Sequence, residues 1–116
     1  MKTIKIGIMS QEKIRERVLA IATGKLKPSP DDPKIWFPSM KSLATILSDE
    51  NRELLRTIAE THPASIAELA TTMERSPKNL SRILKTMANY GLVKLEHQAN
   101  TVKPVAEAAR FHIVAI

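Results

Sequence analysis

The side chains that could do chemistry are concentrated between Arg75 and Leu95. Five cations lie there (Arg75, Lys78, Arg82, Lys85 and Lys94) with no carboxylate among them. Ser76, Asn79, Ser81 and Thr86 are interleaved with them. Arg and Lys suit guanine edges and phosphate oxygens, and Asn suits adenine, so the stretch is equipped for polyanion and base contacts. Nothing comparable exists for catalysis. His62, His97 and His112 are dispersed, with no pair at the i, i+4 spacing by which a helix holds a metal. The absence of cysteine excludes disulfides, thiolate nucleophiles and thiolate metal sites. Gly7 and Gly24 belong to no GxxxxGKS or GxGxxG phosphate loop. The expectation is therefore no catalytic residue, no metal and no cofactor, and a protein that is not an enzyme.

Two short helices must position these cations, and Ser65–Gly91 supplies both. Ser65-Ile66-Ala67-Glu68 reads as a capping box, in which the Ser65 hydroxyl accepts from the Glu68 amide and the Glu68 side chain returns to the Ser65 amide. Ser76-Pro77 is a second start signal, with Ser76 as N-cap and Pro77 at the first helical position. Met73-Glu74-Arg75 leaves room only for a sharp corner, as in a helix-turn-helix, although this turn lacks the Gly often found there. In the second helix Leu80, Ile83, Leu84 and Met87 form one apolar stripe. Lys78, Asn79, Ser81, Arg82, Lys85 and Thr86 lie away from it.

The flanking segments give the rest of the architecture. Ile4, Ile6 and Ile8 alternate with Lys5 and Gly7 in a half-buried strand over residues 2–9. Ser10 caps a helix from Gln11 to Thr23 with Ile14, Val18, Ile21 and Ala22 as its inward stripe, and Gly24 ends it. Residues 24–38 hold four of the seven prolines and read as an extended arm, neither helix nor central strand. Ile35-Trp36-Phe37 in that arm either closes the domain's own core or anchors a partner. Ser39 caps a short helix to Leu47 with Met40, Leu43 and Leu47 on one side. A further helix from Ser48 or Asp49 to Thr61 turns Leu54, Leu55, Ile58 and Ala59 inward and ends at His62-Pro63. After Gly91, residues 92–96 and 101–106 form a hairpin whose return strand Pro104 confines to an edge. Residues 110–116 are again strand-like. Both chain ends are thus apolar strands, expected to pair with each other within the chain or across a dimer.

The totals agree with a single compact domain. The chain has 116 residues and a formal charge of +6. Residues 1–47 carry nine cations against four acids, and residues 48–116 nine against eight. Charge gathered in two places suggests a polyanionic partner; an anionic membrane surface or an acidic protein fits the totals equally well. No apolar run has the length of a membrane span, and no signal-peptide core is evident, so a cytoplasmic protein is expected, nucleoid-associated when DNA-bound.

From about Ser42 to Val105 the sequence resembles the MarR-type winged-helix transcriptional regulators, through SLATILSDENRELLRTIAE, SIAELA, SPKNLSRILKTMANYGLV and the hairpin that follows. More narrowly, the whole chain is similar to small prokaryotic DNA-binding regulators with an N-terminal strand and helix and a Trp-Phe-Pro arm. Some of these are antitoxins of the TumA-like group. The resemblance implies a mainly α fold with a small β component: a winged helix-turn-helix core with an N-terminal strand-helix extension and a C-terminal strand. The expected division is 1–38 for strand, helix and arm, 39–106 for the DNA-binding core and 107–116 for the last strand. A recognition helix over 76–90 would lie in the major groove of double-stranded DNA. Ser65, Arg75, Ser76, Lys78, Asn79, Ser81, Arg82, Lys85 and Lys103 are the expected DNA contacts. Ile4, Ile6, Ile8, Trp36, Phe37, Phe111 and Ile113 are the expected dimer or partner contacts. The function implied is repression by a homodimer; the alternative is an antitoxin or protein-interaction module that binds a cognate toxin or other protein. Two features depart from the MarR pattern. No Asp or Arg stands between His97 and Lys103, where a longer wing carries them, and the chain ends are strands where MarR proteins dimerise through helices.

Overall fold

The computed structural model describes residues 2–115. In chain order the elements are β1 (Thr3–Ile8), α1 (Gln11–Ala22), β2 (Ile35–Phe37), α2 (Met40–Ile46) and α3 (Asp49–Thr61). They continue with α4 (Ile66–Met73), α5 (Pro77–Asn89), β3 (Val93–His97), β4 (Val102–Ala106) and β5 (Arg110–Ala115). Five strands stand beside five helices, so the fold is mixed α/β rather than mainly α. The last residue of the expected terminal strand, Ile116, lies outside the described residues. The chain divides into two compact units, Thr3–Ile46 with the strand from Arg110, and Leu47–Ala109.

The first unit is built on a three-stranded sheet ordered β2-β1-β5. Both chain ends do pair, as their apolar alternation requires, and they pair in parallel: Ile4 stands beside Phe111, Ile6 beside Ile113 and Ile8 beside Ala115. On the other edge Ile6, Gly7 and Ile8 pair with Ile35, Trp36 and Phe37, again in parallel. Parallel neighbours need a long crossover, and α1 with the Pro-rich segment provides it. That segment is therefore more than an arm. Its Ile-Trp-Phe end is an edge strand, the one sheet position that Pro33 and Pro38 on either side allow. Neighbouring residues of parallel strands point to the same face, which groups Ile4, Ile6, Ile8, Ile35 and Phe37. All five are buried, Ile6 and Phe37 completely. These side chains are core of the chain itself, and Phe111 and Ile113 on β5 retain exposed surface.

The opposite face of the sheet is organised by Trp36. Its indole lies over Gly7, so closely that a Cβ there would collide with ring atoms Cζ3 and Cε3. The Arg17 guanidinium sits 5.3 Å from the indole centroid and 2.9 Å from the Asp32 carboxylate. Asp32 also accepts from the Ser29 amide at 2.8 Å. The Ser29 amide first, then Arg17, hold the Asp32 carboxyl below its ordinary value. Lys5 completes the clasp: its ammonium donates to the Asp31 carbonyl at 2.7 Å, and its own carbonyl accepts from the Lys34 amide. The proline-rich turn is thus tied to α1 and β1 by Asp31 and Asp32. The expected inward stripe of α1 is realised in part: Ile14 and Ile21 are half-buried, together with Arg17 and Ala20, whereas Val18 and Ala22 are exposed. No residue of α1 is buried, and Val18 and Leu19 are 61% and 65% exposed, because Arg17, not Val18, occupies the side turned toward the sheet. On α2, Ser39 caps the helix by accepting from the Ser42 amide. Leu43 is buried there, whereas Met40, expected beside it, is exposed.

The second unit gathers α3, α4, α5 and the antiparallel hairpin β3-β4. Its core is Leu47, Leu54, Leu55, Ile58, Leu69, Ala70, Leu80, Leu84, Met87, Leu92 and Val93. Ser48 caps α3 by accepting from the Asn51 amide. The helix ends at His62, which adopts the left-handed conformation (φ 48°) before Pro63, a residue that cannot continue it. Apolar burial of this kind contributes about 1.5–3 kcal/mol per large side chain, which makes this stripe the main source of the unit's stability.

The Gly7–Trp36 contact yields a direct test. Gly7→Ala is expected to lower stability by about 1–3 kcal/mol through overpacking, measured by urea denaturation. In a Trp36→Leu background the same change should cost much less, because the collision is with the indole.

Candidate nucleic-acid interface

Helix α5, which carries Lys78, Arg82 and Lys85, and helix α4 before it are fixed at every end by local chemistry. At the start of α4 the Ser65 hydroxyl accepts from the Glu68 amide at 3.0 Å. The return half of the expected capping box is displaced by one residue: Glu68 Oε2 accepts from the Ala64 amide at 2.9 Å, not from Ser65. The outcome is the same kind of satisfaction, since one more donor near the helix start gains a partner. α4 ends at Glu74, which takes the left-handed conformation (φ 54°). The Arg75 amide then donates to the Ala70 carbonyl. The corner therefore closes without glycine, at a cost of roughly 1–2 kcal/mol for an L-residue in that region.

Helix α5 begins on Ser76, whose hydroxyl accepts from the Asn79 amide at 3.4 Å, with Pro77 in the first turn. It ends in a Schellman arrangement. The Gly91 amide donates to Ala88 and the Leu92 amide to Met87, with Gly91 at φ 85°, and Leu92 and Met87 are both buried. This closure aims the chain directly into β3, so the hairpin's direction is set by the same residues that stop the helix. In the hairpin, Leu95 faces Pro104 and Glu96 faces Lys103.

Between its ends α5 presents opposite faces. Leu80, Leu84 and Met87 are buried and Ile83 half-buried. Lys78, Ser81, Arg82, Lys85, Thr86 and Asn89 are exposed. Lys78, Arg82, Lys85 and Asn89 follow one another by four, three and four residues, which aligns them in a single stripe along the solvent side. Among the described residues the ion pairs are Arg17–Asp32 and Arg56–Glu53, so none of the three α5 cations is neutralised by a carboxylate. The Arg82 guanidinium donates to Asn79 Oδ1 at 3.0 Å. That bond ties the guanidinium to Asn79 through one N–H, and the remaining guanidinium N–H groups are additional donors. Ser76, Lys78, Asn79 and Arg82 line one shallow depression at the start of the helix. The helix N-terminus adds its own partial positive charge there.

The expected contact residues do not all meet at this place. Ser76, Lys78, Asn79 and Arg82 share the depression, and Ser81 and Lys85 lie beside or beyond it on α5. Ser65 and Arg75 are half-buried at the helix junctions, where Ser65 serves as the α4 cap. Lys103 lines a separate groove with Ile58, His62, Glu96 and Pro104. Asn89 was not among the expected residues. Its membership of the Lys78–Arg82–Lys85 stripe follows from spacing alone and is legible in the sequence. Among the described residues no group of His, Asp and Glu could hold a metal ion, and no helix is long and apolar enough to cross a membrane.

Residues 46–113, more than half of the chain, match the family model HVO_A0114. The chain belongs to the HVO_A0114 family. The matched span runs from the end of α2 through α3, α4, α5 and the hairpin into β5, so it takes in every residue of the basic stripe. No curated protein matches the chain. Among solved structures, the AntR antimony-specific transcriptional repressor is similar at 19% identity over 72% of this chain and 79% of that one, with a TM-score of 0.49.

The left-handed corner residue gives the prediction for this part of the family fold. Glu74→Gly should leave stability equal or raise it by under about 1 kcal/mol, whereas Glu74→Val should lower it, the two differing by about 1–2 kcal/mol in thermal or urea denaturation. Equal stabilities would contradict a strained corner.

Proposed function

We propose that the protein is a sequence-specific double-stranded DNA-binding transcriptional regulator acting as a homodimer, with α5 as the recognition helix of a winged helix-turn-helix. The observation that carries this reading is the unneutralised stripe Lys78–Arg82–Lys85–Asn89 on the face of α5 opposite its buried one. A helix of this diameter fits the major groove, and its N-terminal residues face base edges while the cations farther along face phosphates. Arg82, held by Asn79, is suited to the O6/N7 edge of guanine, and the Asn79 amide to adenine. Lys78 and Lys85 supply the sequence-independent, salt-sensitive part of the affinity. Short β3-β4 strands with only Lys94 and Lys103 leave the helix to carry most base contacts. On this reading a two-fold dimer places two α5 helices in successive major grooves of a palindromic operator and represses transcription, in the manner of the MarR-type regulators.

A second reading, an antitoxin or protein-interaction module, is favoured by one observation: α1 leaves Val18 and Leu19 exposed side by side. Such a surface fits a cognate toxin or another protein partner, and DNA binding would then be autoregulatory. The two readings separate experimentally, because Val18→Lys with Leu19→Lys should abolish association with the adjacent gene's product without changing DNA affinity.

For DNA binding, Arg82→Ala should weaken the preferred site by about 1–3 kcal/mol and relax sequence choice. Lys85→Ala should weaken all sequences alike and reduce the salt dependence by about one counterion. Fluorescence anisotropy on promoter DNA at several salt concentrations measures both. Affinity for the chain's own promoter unchanged by either substitution would refute the reading.

A further inference from the structure

We infer that the outer edge of β5 is the dimer contact, pairing antiparallel with β5 of a second copy across a two-fold axis at His112. The pairing would join two β2-β1-β5 sheets into one sheet of six strands.

Among the described residues, in the order β2-β1-β5, strand β1 is bonded on both sides, and β2 and β5 are the edge strands. The β2 edge is protected: it is three residues long and flanked by Pro33 and Pro38. The hairpin's return strand β4 carries Pro104. β5 has none of these devices. It is six residues long, contains neither Pro nor Gly and has no acidic side chain. Unprotected edges of that length are templates for another strand. Exposure agrees: Ile113 is 45% exposed on a face whose other β-branched residues, on β1 and β2, are buried.

A second copy fits this edge better than a strand of unrelated sequence, because β5 is complementary to itself in one register. A two-fold axis normal to the sheet keeps each face continuous only when opposed residues have the same parity, since side chains alternate along a strand. Centring the axis on His112 satisfies this. It sets Phe111 opposite Ile113 of the second copy, and Ile113 opposite its Phe111, two aromatic–β-branched pairs on the face where Ile113 is now exposed. Arg110 then opposes Val114. The two Arg110 side chains are separated by four residues along the strand, about 13 Å, so the only permanent cations on β5 do not meet. Parallel self-pairing would set them side by side. Centring on Ile113 instead would oppose Phe111 to Ala115 and lose both aromatic pairs. This contact supplies the geometry of the dimer proposed above, and rests on that reading only for its use on an operator.

The experiment needs no DNA, and the cysteine-free chain suits it. Sedimentation equilibrium of the full chain at micromolar concentration should give twice the 12.9 kDa chain mass. Ile113→Lys should give the single mass with an unchanged circular dichroism spectrum. Under mild oxidation His112→Cys should form a disulfide-linked dimer, because opposed Cα atoms in an antiparallel pair lie within disulfide range. Arg110→Cys, too far from its counterpart, should not. A monomeric wild type, a dimer that persists in Ile113→Lys, or crosslinking at Arg110→Cys or Ile113→Cys in place of His112→Cys would overturn the proposal. These failures differ from failure of the DNA reading, in which the dimer forms but Arg82→Ala binds the promoter as the wild type does.

Discussion

Strand β1 is the constraint on which the first unit depends. It is hydrogen-bonded on both sides, with β2 thirty residues along the chain and β5 at its far end. Its Ile4, Ile6 and Ile8 form the middle of the buried face, and its Gly7 is the place where Trp36 can lie flat. Removing a side chain at Gly7 is what lets the indole approach. The indole in turn gives Arg17 a surface to cover, and Arg17 holds Asp32. The proline-rich turn is ordered by this sequence of contacts rather than by any propensity of its own. Because the Asp32 carboxylate accepts from Ser29 and Arg17, this stabilising contribution is present above the ordinary carboxylate value and is lost only as pH falls through the lowered one.

The two units differ in how far apart in sequence their contacts lie. In Leu47–Ala109 the helices and the hairpin follow one another, and their caps and corners join residues three to five apart. In the sheet, Thr3 stands beside Arg110. Closing so long a loop costs entropy that local contacts do not, though the cost grows only logarithmically with length. The basic stripe therefore sits on the locally determined unit, supported by Ser76, Gly91 and the Leu80–Leu84–Met87 face. The α5 cations are held out from a helix capped at both ends and packed on the unit's core, which would suit the proposed contact with a polyanion.

What is legible in the sequence follows the same division. Helix starts at Ser10, Ser39, Ser48, Ser65 and Ser76, the stops at Pro63 and Gly91, the hairpin around residues 98–101 and the two faces of α5 were all legible. Each is decided by residues within one or two turns of each other. The capping box erred by one residue because a Glu side chain reaches either the Ser65 or the Ala64 amide, and sequence does not choose between them. The α1 stripe, right at Ile14 and Ile21, erred at Val18 for a different reason. Spacing identified Val18 as apolar-facing, but Arg17 found a better contact on Trp36, a partner nineteen residues away in the sequence. Ile35-Trp36-Phe37 is legible as an anchor but not as a strand, since a three-residue strand carries no periodicity.

The sequence by itself determined the local elements and the unpaired cations of α5, because caps, turns and helical spacing act over a few residues whatever the rest of the chain does. Tertiary structure alone decided that the two apolar ends run parallel, that the proline-rich segment supplies an edge strand, and that Ile4, Ile6, Ile8 and Phe37 are interior. Those outcomes depend on which distant strands meet and in what register. Alternation along a strand states that one face must be buried, but not which neighbour buries it.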